Sequence, residues 1–104
     1  MKKNILEVFT KEEILLEKLG DRIKRARLRR NIRAELLAES AGISRGTLFA
    51  IERGASTTSI GAYVAVLCVL GLENDINHIA KDEEGKEQYQ ESRLYRRERA
   101  GRKK

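Results

Sequence analysis

The stretch AGISRGTLFAIERG, residues 41–54, decides how this chain folds. It predicts a short helix bracketed by glycines, with Ser44 at its cap and Gly54 in the turn that follows. Two residues at helical spacing are expected to face inward, Leu48 and Ile51. The residues that open the helix are small or basic: Arg45, Gly46 and Thr47. Such an opening fits either the surface of another molecule or an ordinary solvated helix start.

Working outward, apolar residues at helical spacing predict four more helices. The first opens with a capping box, in which Thr10 and Glu13 exchange hydrogen bonds, and Gly20 either lies inside it or divides it in two. The last is short and is expected to close over the core with Leu72, Ile76 and Ile79. The five helices are expected at about 11–30, 33–40, 44–53, 60–70 and 73–80.

Composition agrees with an all-α protein, because the chain of 104 residues has no proline and only eight glycines. The length allows one domain with tails. The formal charge of +6 favours an anionic partner such as nucleic acid. The charge is uneven, since residues 21–33 and residues 92–104 each carry seven basic side chains against a single acid.

Several other classes of protein are disfavoured. Cys68 is the only cysteine, so no internal disulfide is possible, and we expect it to be a small buried hydrophobe. One histidine and one cysteine do not make a zinc site, and we expect no cofactor, no metal and no catalysis. The most apolar stretch has 12 residues, too few to span a bilayer, and the first residues do not read as a secretory signal. We therefore expect a soluble, cytoplasmic and nucleoid-associated protein.

The second and third helices are joined by the tight turn AGIS, which is the outline of a helix-turn-helix. In such a unit the start of the second helix enters the major groove of DNA. There Arg45 can hydrogen-bond a guanine, and Thr47 can either donate to a phosphate oxygen or touch a thymine methyl group. Phe49 and Ala50 can offer only apolar contact to thymine methyl groups, so we expect strong dependence on phosphate contacts and DNA shape. The expected DNA contacts are Arg33, Ser44, Arg45, Gly46, Thr47, Phe49, Ala50, Arg53 and Thr57.

Residues 23–54 resemble the Xre (lambda-repressor-like) helix-turn-helix family. The matching features are the arginine-rich first helix, ELLAESAGIS across the turn and the closing IERG, and the resemblance extends over about 21–80. It implies a five-helix lambda-repressor-like DNA-binding domain at 21–80. Residues 1–20 are then an added N-terminal arm and helical segment, and the high charge and few apolar residues of 81–104 predict a charged, partly disordered tail. The resemblance also implies an internal ion pair between Arg27 and Glu52.

The sequence departs from that family at the start of the second helix. The family commonly has Thr-Gln there, and the glutamine contacts the DNA backbone, whereas this chain has Arg33 and Ala34. Ala34 cannot make the glutamine contact. Arg33 can replace it with a direct contact to phosphate.

The fourth helix is apolar nearly all round, and a helix on a small domain hides only one face in its own core. A two-fold dimer through the fourth and fifth helices would cover the rest; alternatively, the N-terminal helix covers it within one chain. A dimer would read a palindromic operator with half-sites about one helical turn apart. The expected interface residues are Val64, Val66, Cys68, Val69, Ile76 and Ile79.

The fourth helix and the acidic-then-basic tail resemble the HipB-like branch of the family. The resemblance implies an antitoxin of a type II toxin-antitoxin operon, which binds a HipA-like kinase toxin and represses its own operon. The tail would then follow the DNA backbone or fold onto the toxin; otherwise it is a solvated extension. Two alternatives stay open: a free-standing Xre-type repressor of phage or mobile-element origin, and a toxin-neutralising interaction module with weak DNA binding.

Overall fold

The computed structural model describes residues 9–82, and the first eight residues and the tail from 83 lie outside it. Within the described residues the chain is all-α, as expected, with four α-helices, one 3-10 helix and no strand. The boundaries differ from the expected ones by one residue at most in the four α-helices. These are α1 (Lys11–Arg29), α2 (Ala34–Ala41), α3 (Arg45–Arg53) and α4 (Ile60–Leu70), and the 3-10 helix covers Glu73–His78.

Local hydrogen bonds at the helix ends explain why the sequence predicted the helix boundaries accurately. The Thr10 hydroxyl accepts from the Glu13 N–H and the Glu13 carboxylate accepts from the Thr10 N–H, both at 3.1 Å, which completes the capping box. Ser44 and Ser59 cap α3 and α4 by accepting from the N–H three residues on, at 3.0 and 3.1 Å. The helices α2, α3 and α4 each end at a glycine in the left-handed conformation: Gly42, Gly54 and Gly71.

Gly20 lies inside α1 and does not divide it. It is buried where α1 meets the end of α3, and a Cβ atom there would lie 2.8 Å from both the Glu52 carbonyl oxygen and the Gly54 nitrogen. Gly54 meets α1 from the other side: its φ is +82°, and a Cβ would lie 2.6 Å from the Glu17 backbone. The two backbones therefore approach each other through a pair of residues that lack side chains.

The core draws on all four α-helices. α1 packs chiefly against α3, and α2 packs against both α3 and α4. Each fully buried Leu, Ile or Val contributes roughly 1.5–3 kcal/mol relative to an exposed one. The buried apolar residues are Ile23, Ala26, Leu37, Ala38, Leu48, Ile51, Tyr63, Val66, Leu67 and Leu70.

Two expectations for α4 were wrong. Val66, assigned to a dimer interface, is 0% exposed because it points into the chain's own core. Cys68, expected to be buried, is exposed. Within residues 9–82, α1 packs chiefly against α3 and only slightly against α4, and the exposed residues of α4 are Ile60, Gly61, Cys68 and Val69.

The described chain divides into two units after Asn74. The 3-10 helix Glu73–His78 has no buried residue. Ile76 is half-buried and Ile79 is exposed, so the expected burial of Ile79 in a core-closing helix was wrong. None of the helices in the described part of the chain is long and apolar enough to cross a membrane.

Candidate nucleic-acid interface

The helices α2 and α3 form a compact pair around the turn that the sequence predicted. The turn is closed by the Ile43 N–H, which donates to the Ala38 carbonyl oxygen at 2.9 Å, and α3 then begins at the Ser44 cap. The two helices pack against each other, and Leu37 on α2 and Leu48 on α3 are both fully buried. The start of α3 is thus held both by its backbone and by the core beneath it.

α3 divides into an inward and an outward face. Leu48 and Ile51 are buried, while Thr47 and Ala50 are half-buried at the boundary. The outward face carries four of the nine residues that were expected to contact DNA. The exposed ones on α3 are Arg45, Gly46, Phe49 and Arg53.

An ion pair between α1 and α3 fixes the orientation of that outward face. Arg27 donates from Nε to one Glu52 carboxylate oxygen at 2.8 Å and from Nη2 to the other at 3.2 Å, with the side chains only 11% and 9% exposed. Its Nη1 also donates to the Ile32 carbonyl oxygen at 3.0 Å, in the turn before α2. The hydrogen bond from Arg27 to Glu52 is the main reason that the pKa of Arg27 lies above its ordinary value. The geometry is that of the ion pair implied by the family resemblance.

Arg45 makes an ion pair that the sequence did not predict. Its Nη1 lies 3.0 Å from a carboxylate oxygen of Glu35, in the first turn of α2, and both side chains are exposed. A hydrogen bond from its own backbone N–H lowers the pKa of Glu35, and the positive charges of Arg45 and Arg33 lower it further. The carboxylate is therefore ionised at neutral pH. Its ion pair with Arg45 links the first turn of α2 to the first turn of α3.

The second half of α3 carries a stacked pair. The Arg53 guanidinium carbon lies 4.8 Å from the centroid of the exposed Phe49 ring, a cation–π geometry. Stacking uses the flat face of the guanidinium and leaves its N–H edges available to a phosphate. Phe49 thereby holds Arg53 along the outward face of α3.

A small pocket of about 150 Å³ joins several of these residues. It brings Arg45 and Phe49 of α3 beside Ala34 of α2 and Lys24 of α1. Lys24 was not singled out in the sequence, where it is one of seven cations in 21–33 and carries no distinguishing signal. Its place at the pocket adds a positive charge from α1 to the candidate interface.

The remaining expected contacts lie at the margins. Arg33 is the N-cap residue of α2, is exposed and makes no side-chain cap. The Ser44 hydroxyl donates to the Thr47 hydroxyl oxygen at 3.0 Å, so these two form one unit at the start of α3. Thr57 is exposed in the loop after α3, and that loop is anchored by the Tyr63 hydroxyl, which donates to the Ala55 carbonyl oxygen at 2.8 Å.

Residues 23–73 match the model of a family described as helix-turn-helix. This segment contains α2, α3 and the turn between them, so it is a helix-turn-helix domain, and the match indicates a DNA-binding transcription regulator. The helix-turn-helix part of the resemblance to the Xre family is thereby confirmed. No curated protein matches the chain significantly.

Proposed function

We propose that this protein is a sequence-specific transcriptional repressor that inserts the opening turn of α3 into the major groove of DNA. One observation supports the proposal most directly. The inward face of α3 is buried in the core through Leu48 and Ile51, while Arg45 and Phe49 on the outward face are exposed to solvent. A helix held in this way can offer side chains to base edges without reorganisation.

The outward residues divide the work of binding between bases and phosphates. Arg45 has the planar set of donors that matches guanine O6 and N7, and Phe49 can touch a thymine methyl group. Arg33 stands at the start of α2, where the first amides have no side-chain cap and favour a phosphate. Lys24 and Arg53, which are both exposed, add further positive charge beside this surface. Because few side chains are expected to contact bases directly, the affinity for DNA should depend strongly on phosphate contacts and DNA shape.

The proposal is tested by mobility shift of the purified protein on its own upstream DNA and on a scrambled duplex, at about 50 mM and about 200 mM salt. Selective binding that persists at the higher salt supports a repressor. Weak binding that is equal on both duplexes and lost in salt contradicts it and favours the interaction module instead.

Replacing Arg45 tests the assignment of the base reader. Arg45→Ala should weaken binding to the selected duplex by about 1–3 kcal/mol and relax discrimination at one base position, because a bidentate contact to guanine is lost. The measurement is titration of duplexes substituted at each position in turn. An equal loss on scrambled DNA would mean that Arg45 contacts only phosphate.

A homodimer would let two copies of α3 read two half-sites. Its support is the exposed apolar part of α4, where Val69 and Cys68 are exposed and Val64 is half-buried. Val66 no longer belongs to this surface. Ile76 and Ile79, in the second unit of the chain, remain proposed interface residues.

The finer role that we propose is antitoxin of a type II toxin-antitoxin operon, neutralising a HipA-like kinase toxin. It is supported by the resemblance of the sequence to the HipB-like branch and by the seven basic residues of the segment 92–104. Co-expression with a HipA-like kinase encoded beside this chain tests it. A stable complex and restored cell growth support the antitoxin; a repressor that binds DNA but captures no kinase is a free-standing Xre-type regulator.

A further inference from the structure

We propose that Glu35 is a positioning residue that sets the base discrimination of Arg45. The inference rests on the proposed function, since it concerns how Arg45 meets a base. It adds to that function a residue of α2 that would shape specificity without itself reading DNA. The observation behind it is the 3.0 Å ion pair between the two side chains.

The ion pair joins two rigid backbones. Glu35 lies in the first turn of α2, whose next residues include the buried Leu37 and Ala38. Arg45 is the first residue of α3, directly after the Ser44 cap. A carboxylate held on one helix therefore restricts a long, flexible side chain that begins on the other.

The ion pair leaves Arg45 able to bind DNA. Glu35 engages Nη1 only, and a guanidinium carries five N–H donors on its planar fork. The donors that remain can meet the O6 and N7 atoms of a guanine. Restricting the side chain before binding reduces the rotamer entropy that is lost on binding and disfavours arrangements suited to other bases.

Stability does not explain the ion pair well. The side chains of Arg45 and Glu35 are 59% and 62% exposed, and ion pairs so exposed contribute little to folding. At a surface meant for phosphates, the Glu35 carboxylate also repels DNA. Selectivity is a better reason for an ion pair that adds little stability and places a negative charge at a surface for phosphates.

Glu35 also has an ordinary structural role to set against this. An acid in the first turn of a helix is favoured by the helix dipole wherever the helix lies. That role would affect helix stability and would not affect the choice between bases. Discrimination at a single base position is therefore the readout that separates the two roles.

The experiment begins with selection of preferred duplexes by the full-length protein from a library of randomised DNA. The base position at which Arg45→Ala loses discrimination is then identified. Binding to duplexes varied at that position, and to a scrambled duplex, is measured for Glu35→Ala, Glu35→Gln and the double variant with Arg45→Ala. Glu39→Ala is the matched control, since Glu39 is exposed and lies one turn further along α2.

We expect Glu35→Ala to reduce discrimination at that position by about threefold to tenfold, as for coupled contacting residues. Affinity for the scrambled duplex should hold or rise, because a negative charge is lost. Glu35→Gln keeps an acceptor oxygen and should retain part of the discrimination. Glu39→Ala should leave discrimination unchanged, and adding Glu35→Ala to Arg45→Ala should change it no further.

Three results would overturn the inference. Unchanged discrimination in Glu35→Ala, with discrimination lost in Arg45→Ala, refutes it and leaves the proposed function standing. A uniform loss on every duplex by both Glu35 variants, accompanied by a lower melting temperature, assigns Glu35 to the fold alone. A wild-type protein that selects no sequence contradicts the proposed function itself, and the inference falls with it.

Discussion

Arg27 is the residue at which three segments of the chain meet. Its guanidinium joins α1 to Glu52 on α3 and to the Ile32 carbonyl in the turn before α2. Both members of the ion pair are nearly buried, so the charge of either one is costly without the other. The orientation of α3 therefore depends on one nearly buried side chain that α1 supplies.

Arg27→Ala should lower the free energy of unfolding by about 3 kcal/mol, because it leaves the Glu52 carboxylate buried without its partner. Urea denaturation followed by circular dichroism measures the change. Arg25→Ala is the control: its ion pair with Asp21 lies on the same helix, with side chains 69% and 54% exposed. Its loss should cost less than about 1 kcal/mol. Equal losses in the two variants would show that the buried pair contributes no more than a surface pair.

For single residues, the sequence indicated which side chains matter at the site better than it indicated which residues they form ion pairs with. The pairing of Arg27 with Glu52 was implied by a family pattern, and Arg45 stood out as the first long polar side chain of α3. Its partner Glu35 carried no signal, because an acid near a helix start is common for local reasons. Which carboxylate meets which guanidinium depends on the approach of two helices, and spacing along one chain does not give that approach.

At the scale of elements, the contact between α1 and α3 is made by backbone. Gly20 of α1 and Gly54 at the end of α3 let the two backbones lie in direct contact, because a Cβ atom at either position would overlap backbone atoms of the other segment. This close approach brings Arg27 within reach of Glu52. The part of α1 around Glu17 and Gly20, which precedes the helix-turn-helix match, thereby packs against the end of α3.

Gly20→Ala should destabilise the fold by about 1–3 kcal/mol or more, because the new Cβ would overlap backbone atoms that cannot move aside. Gly61→Ala on α4 is the matched control, since the nearest atom to its Cβ would be the Ser59 Oγ at 3.8 Å. It should gain up to about 1 kcal/mol from the better helix propensity of alanine. Thermal melting of both variants provides the comparison, and a stabilised Gly20→Ala would refute the close contact.

Helix boundaries were predictable because the caps are local: Thr10, Ser44 and Ser59 act on amides three residues away. The sequence did not show that α1 continues through Gly20, because a glycine is needed there only to make room for the backbone at the end of α3. The same limit explains the errors in α4. When a helix is apolar all round, its sequence does not show which face the core takes. Val66 was assigned to the dimer interface but lies in the core, whereas Cys68, expected to be a small buried residue, is exposed and stays among the proposed interface residues.

At the scale of the whole molecule, the exposed part of α4 is the surface that we assign to a second copy of the chain. Val69→Lys should make the protein monomeric, because it places a charge in the proposed apolar interface. Sedimentation measures the mass, and binding to duplexes with one and two half-sites measures the consequence, which should be a loss confined to the two-site duplex. Leu15→Lys, at an exposed leucine on α1, is the control and should change neither. A dimer that survives Val69→Lys would place the interface elsewhere.

The division of α3 into two faces bears on how new specificities could arise. Leu48, Ile51 and Gly54 tie the helix to its scaffold, whereas the exposed positions Arg45, Gly46, Phe49 and Arg53 have no role in the core. Exposed substitutions of this kind usually alter stability by no more than about 0.5 kcal/mol. Duplicated genes could therefore diverge in the operators they recognise by changing these few codons. A randomised library at the same positions would explore new targets without redesign of the fold.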